Sequence, residues 1–114
     1  MNKKEILEQN YDYYDSGALC CKIYYINKTL HRLDGPAHIE YHKSGTIRER
    51  SYYVDGIFLQ DFAEYYSLNT DSKKIFEYIK YFPQWIKQIE KIARYNNWLS
   101  EKELELLACM DMFQ

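Results

Sequence analysis

The chain has 114 residues, 13 of them tyrosine, and a formal net charge of -2. That length suits one compact body, or two small halves, around a modest core. Residues 1–60 carry 8 basic and 8 acidic side chains and the remainder 7 and 9, so composition supports neither a basic footprint for nucleic acid nor an acidic mimic of it.

The N-terminus, Met1 to Gln9, lacks the long apolar core of a secretory signal, and no stretch reaches membrane-spanning length. The cysteines Cys20, Cys21 and Cys109 are odd in number, with two adjacent, and do not form a disulfide framework. A reducing, cytoplasmic setting without membrane attachment is expected.

In chain order, Lys3 to Gln9 reads as a short helix or a frayed start, and Asn10 to Gly17 as aromatic residues leading into an Asp-Ser-Gly turn. Leu19 to Ile26 is a strand, with Leu19, Cys21, Ile23 and Tyr25 on one side and Cys20, Lys22, Tyr24 and Ile26 on the other. Asn27-Lys28 is a turn, and Asp55-Gly56 a stronger one of the same kind. Pro36 marks the start of a strand from Ala37 to His42, because it has no N–H for a ladder. Thr46 to Val54 and Ile57 to Leu59 are the next strands, giving an antiparallel meander.

These elements repeat. Tyr13-Tyr14-Asp15-Ser16-Gly17 returns as Tyr41-His42-Lys43-Ser44-Gly45, and Tyr24-Tyr25 returns as Tyr52-Tyr53, at an offset of 28 residues. A unit of that length cannot bury its apolar side alone, so two units need cover at their ends.

After Gln60 the pattern becomes helical. Asp71 or Ser72 caps a helix whose apolar face carries Ile75, Phe76, Ile79 and Phe82. Pro83 ends it or opens the next helix, where Trp85, Ile86, Ile89, Ile92 and Ala93 follow and Asn96-Asn97 is the stop. Ser100 with Glu103 is a capping box for a third helix carrying Leu104, Leu107, Ala108 and Phe113. The expected fold is α+β: a tyrosine-rich antiparallel meander of two repeat units, capped by about three C-terminal helices. The segments are 1–12 at the N-terminus, 13–66 for the meander and 67–114 for the helical cap, sharing one core.

The text between the two units is His31-Arg32-Leu33-Asp34-Gly35-Pro36-Ala37. It resembles the His-Arg-x-Asp-Gly-Pro-Ala signature of a MORN-variant repeat family found in bacterial, phage and large-virus proteins, some described as antitoxins. The resemblance spans about Tyr13 to Tyr65. Lys28 stands where that family has glycine, and Phe58 to Ala63 replaces the signature after the second unit. The resemblance implies a repeat sheet and says little about activity.

His31 and Asp34 could serve as acid and base, with Arg32 holding an anion. The plainer expectation is structural: Asp34 bonds its own downstream N–H groups, Gly35 takes a backbone shape that a side chain resists, and His31 and Arg32 tie the loop to a strand. His38 and His42 lie about 13 Å apart on an extended strand, too far to share a zinc ion. No metal or cofactor is expected. Lys80, Lys87, Lys91 and Arg94 would form a basic stripe for phosphate if Pro83 left the helix axis unbroken, although nearby glutamates dilute it.

The functional expectation is a non-enzymatic module that binds a protein partner, in the role of an inhibitor or sequestering protein such as a phage counter-defence protein. A bacterial antitoxin and a nucleic-acid-binding accessory protein are the alternatives, and self-association is left open. Tyr24, Arg48, Arg50 and Tyr52 are the expected contact residues, because rigid rings beside forked guanidinium groups dominate such surfaces. This requires that cover fall on the face of Ile47 and Tyr53, with Tyr25 and Tyr53 mostly buried.

Overall fold

A computed structural model of the protein describes residues 7–67 and 70–112. It has an antiparallel sheet followed by a cluster of C-terminal helices. The chain divides into two compact units, with the boundary between Ala63 and Glu64.

The first unit holds strands β1 (Glu8–Tyr13), β2 (Leu19–Ile26), β3 (Thr29–Leu30), β4 (His38–Tyr41), β5 (Ile47–Ser51), β6 (Tyr53–Val54) and β7 (Ile57–Phe58). The main sheet runs in the order β1-β2-β4-β5, with β3 pairing the end of β2. β6 and β7 form a separate hairpin. The strand β1 is a correction to the sequence reading, in which Lys3 to Gln9 is a short helix or a frayed start. Residues 3–6 of that segment lie outside the described residues, but Glu8 and Gln9 are strand, paired with Tyr25 and Tyr24.

The repeat is written in backbone hydrogen bonds. Tyr14 N–H bonds Ala18 O at 2.8 Å, and His42 N–H bonds Thr46 O at 2.8 Å. His31 N–H bonds Tyr24 O, and Leu59 N–H bonds Tyr52 O. Tyr25 faces Leu30 as Tyr53 faces Phe58. Even the irregularities recur: the register shifts opposite Asp12/Tyr13 and opposite Glu40/Tyr41 leave Cys20 and Arg48 as the extra residues. Both are β-bulges, which bend a strand and increase its twist.

The two-residue turns recur as well. Asn27 and Lys28 have φ of 50° and 65°, and Asp55 and Gly56 have 51° and 81°. Positive φ at both central residues is the hairpin turn whose twist matches the strands. Lys28 therefore holds a left-handed shape that glycine takes freely. Lys28→Gly should stabilise the protein by about 1 kcal/mol, a rise of about 4 °C in melting temperature for a domain of this size. The reverse change, Gly56→Lys, should cost more, because a Cβ there lies 2.8 Å from Thr29 Cγ2. Thermal melts in which both variants match the parent would refute this account of the turns.

The second unit has α1 (Ser72–Tyr81), α2 (Ile86–Tyr95) and α3 (Glu101–Asp111). Asp71 caps α1 by accepting a bond from Lys74 N–H at 3.0 Å. α1 ends before Pro83, which opens a 3-10 turn over Pro83–Trp85. α2 closes in a Schellman motif: Asn97 sits at φ 58°, and Trp98 N–H reaches back to Ala93 O at 2.9 Å. The capping box of Ser100 and Glu103 is formed, and those bonds from Ser100 hold the Glu103 carboxyl below its usual range. Ile75, Tyr78, Ile79, Ile86, Ile89, Ile92, Leu104 and Leu107 are buried. Tyr78 stands among the rings of Tyr65, Phe82 and Trp85, with centroids 4.8 to 6.5 Å away. Phe113 lies outside the described residues.

Candidate functional site

The loop from His31 to Ala37 follows β3. Arg32 is its organiser. Its guanidinium lies over the Tyr24 ring, 4.0 Å from the centroid. Its Nε donates to Asp34 Oδ1 at 2.9 Å and a terminal nitrogen to Pro36 O at 3.1 Å. Asp34 thus serves Arg32, where the sequence reading had it bonding its own backbone. Gly35 is buried, and a Cβ on it would come within 2.9 Å of Arg32 Cζ. The constraint at Gly35 is close approach: its φ is not among the positive values that mark Gly17, Gly45 and Gly56.

His31 is buried, with 4% of its surface exposed. Its Nδ1 accepts a bond from Asp55 N–H at 2.9 Å, and Asp55 Oδ1 lies 3.3 Å away. A ring nitrogen that accepts from an N–H does so through its lone pair. His31 therefore ties the loop of one unit to the Asp55-Gly56 turn of the next. Its carboxylate neighbour is Asp55 rather than the expected Asp34. Ile26, Asn27, Thr29, His31 and Asp55 line an open cleft of about 210 Å³.

The sheet register sorts the remaining polar residues by face. Antiparallel partners share a face. Tyr11, Lys22, Ile39 and Arg50 form one row across four strands. Asp12, Cys21, Glu40 and Glu49 form the adjacent row, on the opposite face. Lys22 Nζ lies 5.7 Å from the Tyr11 ring and 5.9 Å from the Tyr41 ring. Among the described residues, neither Lys22 nor Arg50 has an ion-pair partner. Tyr11 and Tyr13 are 46% and 61% exposed, and Ile47, which pairs with Tyr41, is 51% exposed. One face is therefore aromatic and cationic, and the other bears carboxylates. Cys21 lies on the acidic face, where burial and a 3.5 Å contact with Asp12 push its thiol pKa up. That argues against a reactive thiolate.

The expected contact group does not form. Tyr24 and Tyr52 are 9% and 2% exposed and belong to the core. Arg32 covers Tyr24, and Phe62 meets Tyr52 edge-on at 5.4 Å between centroids. Tyr25 and Tyr53, expected to be the buried pair, are only half-buried. Arg48 and Arg50 are both exposed, but the bulge at Arg48 resets the alternation. Arg48 reaches Glu40 at 3.9 Å, with the acidic row, while Arg50 stays with Lys22. The residues missed by sequence reading are Tyr11, Lys22 and Tyr41, which a strand assignment for residues 8–13 would have brought together.

The basic stripe is interrupted. Lys80 lies on α1, and the chain leaves the helical path at Phe82 (φ -133°, ψ 60°) before α2 begins. Lys87, Lys91 and Arg94 remain on α2, where Arg94 lies 3.8 Å from Glu90. Among the described residues, no group of His, Cys, Asp and Glu is placed to hold a metal, and no helix is long and apolar enough to cross a membrane. The chain matches no protein-family model, no curated protein and no solved structure.

Proposed function

We propose that this chain is a non-enzymatic protein-binding module that acts by engaging, and so sequestering or inhibiting, another protein. The observation that carries the reading is the aromatic and cationic sheet face built by Tyr11, Lys22, Tyr41 and Arg50, with exposed Tyr13 and Ile47 beside it. Tyrosine and arginine over an apolar floor are what protein interfaces concentrate. The inhibitory role rests on the resemblance of the His31 to Ala37 loop to a repeat signature, and a phage counter-defence protein or an antitoxin is the setting that resemblance suggests. Nucleic-acid binding loses ground with the interrupted stripe.

The test is a pull-down from cell lysate, with mass spectrometry before and after nuclease treatment. A stoichiometric protein that survives nuclease and is lost with Lys22→Glu/Arg50→Glu supports the module. The control Arg48→Gln, on the acidic side, should keep the partner. Recovery only through nucleic acid would refute the reading.

A further inference from the structure

We infer that the Tyr11–Lys22–Tyr41–Arg50 face takes an acidic segment of the protein partner, an inference that rests on the protein-binding reading above. The two cations are unneutralised among the described residues, and the sheet's carboxylates Asp12, Glu40 and Glu49 fall on the other face. Lys22 on β2 and Arg50 on β5 are separated by one intervening strand, β4. Two strand spacings put their backbones about 10 Å apart. That span matches carboxylates at i and i+7 on one face of a helix, about 10.5 Å along the axis. Ile39 lies between the cations, 8% exposed, and Ile47 offers an apolar contact at the margin.

The same geometry disfavours single-stranded nucleic acid. Bases need free aromatic faces to stack on, whereas Lys22 Nζ lies over the rings of both Tyr11 and Tyr41. Two cations also neutralise few phosphates, and phosphate neutralisation supplies most of such affinity. An acidic protein segment needs only the two charges, and the rings supply contact area at low cost in entropy.

The probe is N-acetylated octaglutamate, titrated into the isotope-labelled full chain at low salt and followed by backbone amide shifts. Octalysine and oligothymidylate serve as comparisons. Octaglutamate should shift the amides of β1, β2, β4 and β5 around Tyr11, Lys22, Tyr41 and Arg50, and the shifts should weaken as salt rises. Lys22→Glu/Arg50→Glu should lower its affinity at least about tenfold, and Arg48→Gln should leave it unchanged. Lys22→Gln/Arg50→Gln repeats the test if the charge-reversed chain loses its dispersed spectrum. Octaglutamate shifts that are absent, or that fall elsewhere, would overturn the acidic-segment inference while the pull-down decides the protein-binding reading separately. Tighter binding of oligothymidylate on this same face would overturn both.

Discussion

Tyr52→Ala is expected to cost the sheet unit about 3–5 kcal/mol, and Tyr53→Ala about half as much. The neighbours share a composition and differ in surroundings. Tyr52 is 2% exposed and meets Phe62 edge-on, and Phe62 is itself wholly buried. Tyr53 is half-buried beside Phe58, a residue 46% exposed. Small domains are stable by only about 5–15 kcal/mol, so the first change removes a large share of the total. Both tryptophans, Trp85 and Trp98, lie in the helical unit. Tryptophan fluorescence therefore follows the helical unit, and chemical denaturation of the sheet unit is read from the backbone amide signals of its strands. A Tyr53→Ala penalty equal to or larger than that of Tyr52→Ala would refute the placement.

Tyr52 also carries a pH signature. Burial pushes its phenol pKa up, against the opposing pull of Arg50 and Arg32. A phenol raised in the folded state contributes its full stability below the unfolded value, about 10. The contribution is lost as pH climbs through the folded value. Stability should fall above about pH 10, and Tyr52→Phe should flatten that part of the fall.

How much of this was legible depends on which interactions are local. The 28-residue offset was readable because turn chemistry is local: Asp55-Gly56 and Asn27-Lys28 announce the same turn, and both adopt it. The helix ends were readable for the same reason, since Asp71, Ser100 and Pro83 act within one turn of their own position. β1 was not readable. Glu8, Asn10 and Asp12 alternate with Gln9, Tyr11 and Tyr13, so neither side is a clear apolar stripe, and every residue is exposed. It is a strand because β2 offers it an edge. The face assignments failed for a related reason. A period-2 reading of Thr46 to Val54 cannot see the extra residue at Arg48, and a single slip exchanges the faces. Nor can it see that an arginine eight positions along the chain covers Tyr24.

That arginine sets the last prediction. Gly35→Val should destabilise the protein by about 3 kcal/mol, more than Gly17→Val at about 1–2 kcal/mol. Gly17 is exposed at φ 91° with nothing near its would-be Cβ, so a side chain there meets only backbone strain. At Gly35 the Cβ meets Arg32 at 2.9 Å, and Arg32 has nowhere to yield without leaving Tyr24, Asp34 or Pro36 O. The valine thus breaks a cation–π contact and charge-assisted bonds in addition to crowding a packed loop. If that is the cause, the two residues must couple. Arg32→Ala alone should be destabilising, but adding Gly35→Val to it should cost at least about 1 kcal/mol less than adding it to the parent. A double-mutant cycle by urea denaturation measures this directly. Additive penalties, or equal melting temperatures for Gly35→Val and Gly17→Val, would show that the loop does not depend on the space left for Arg32.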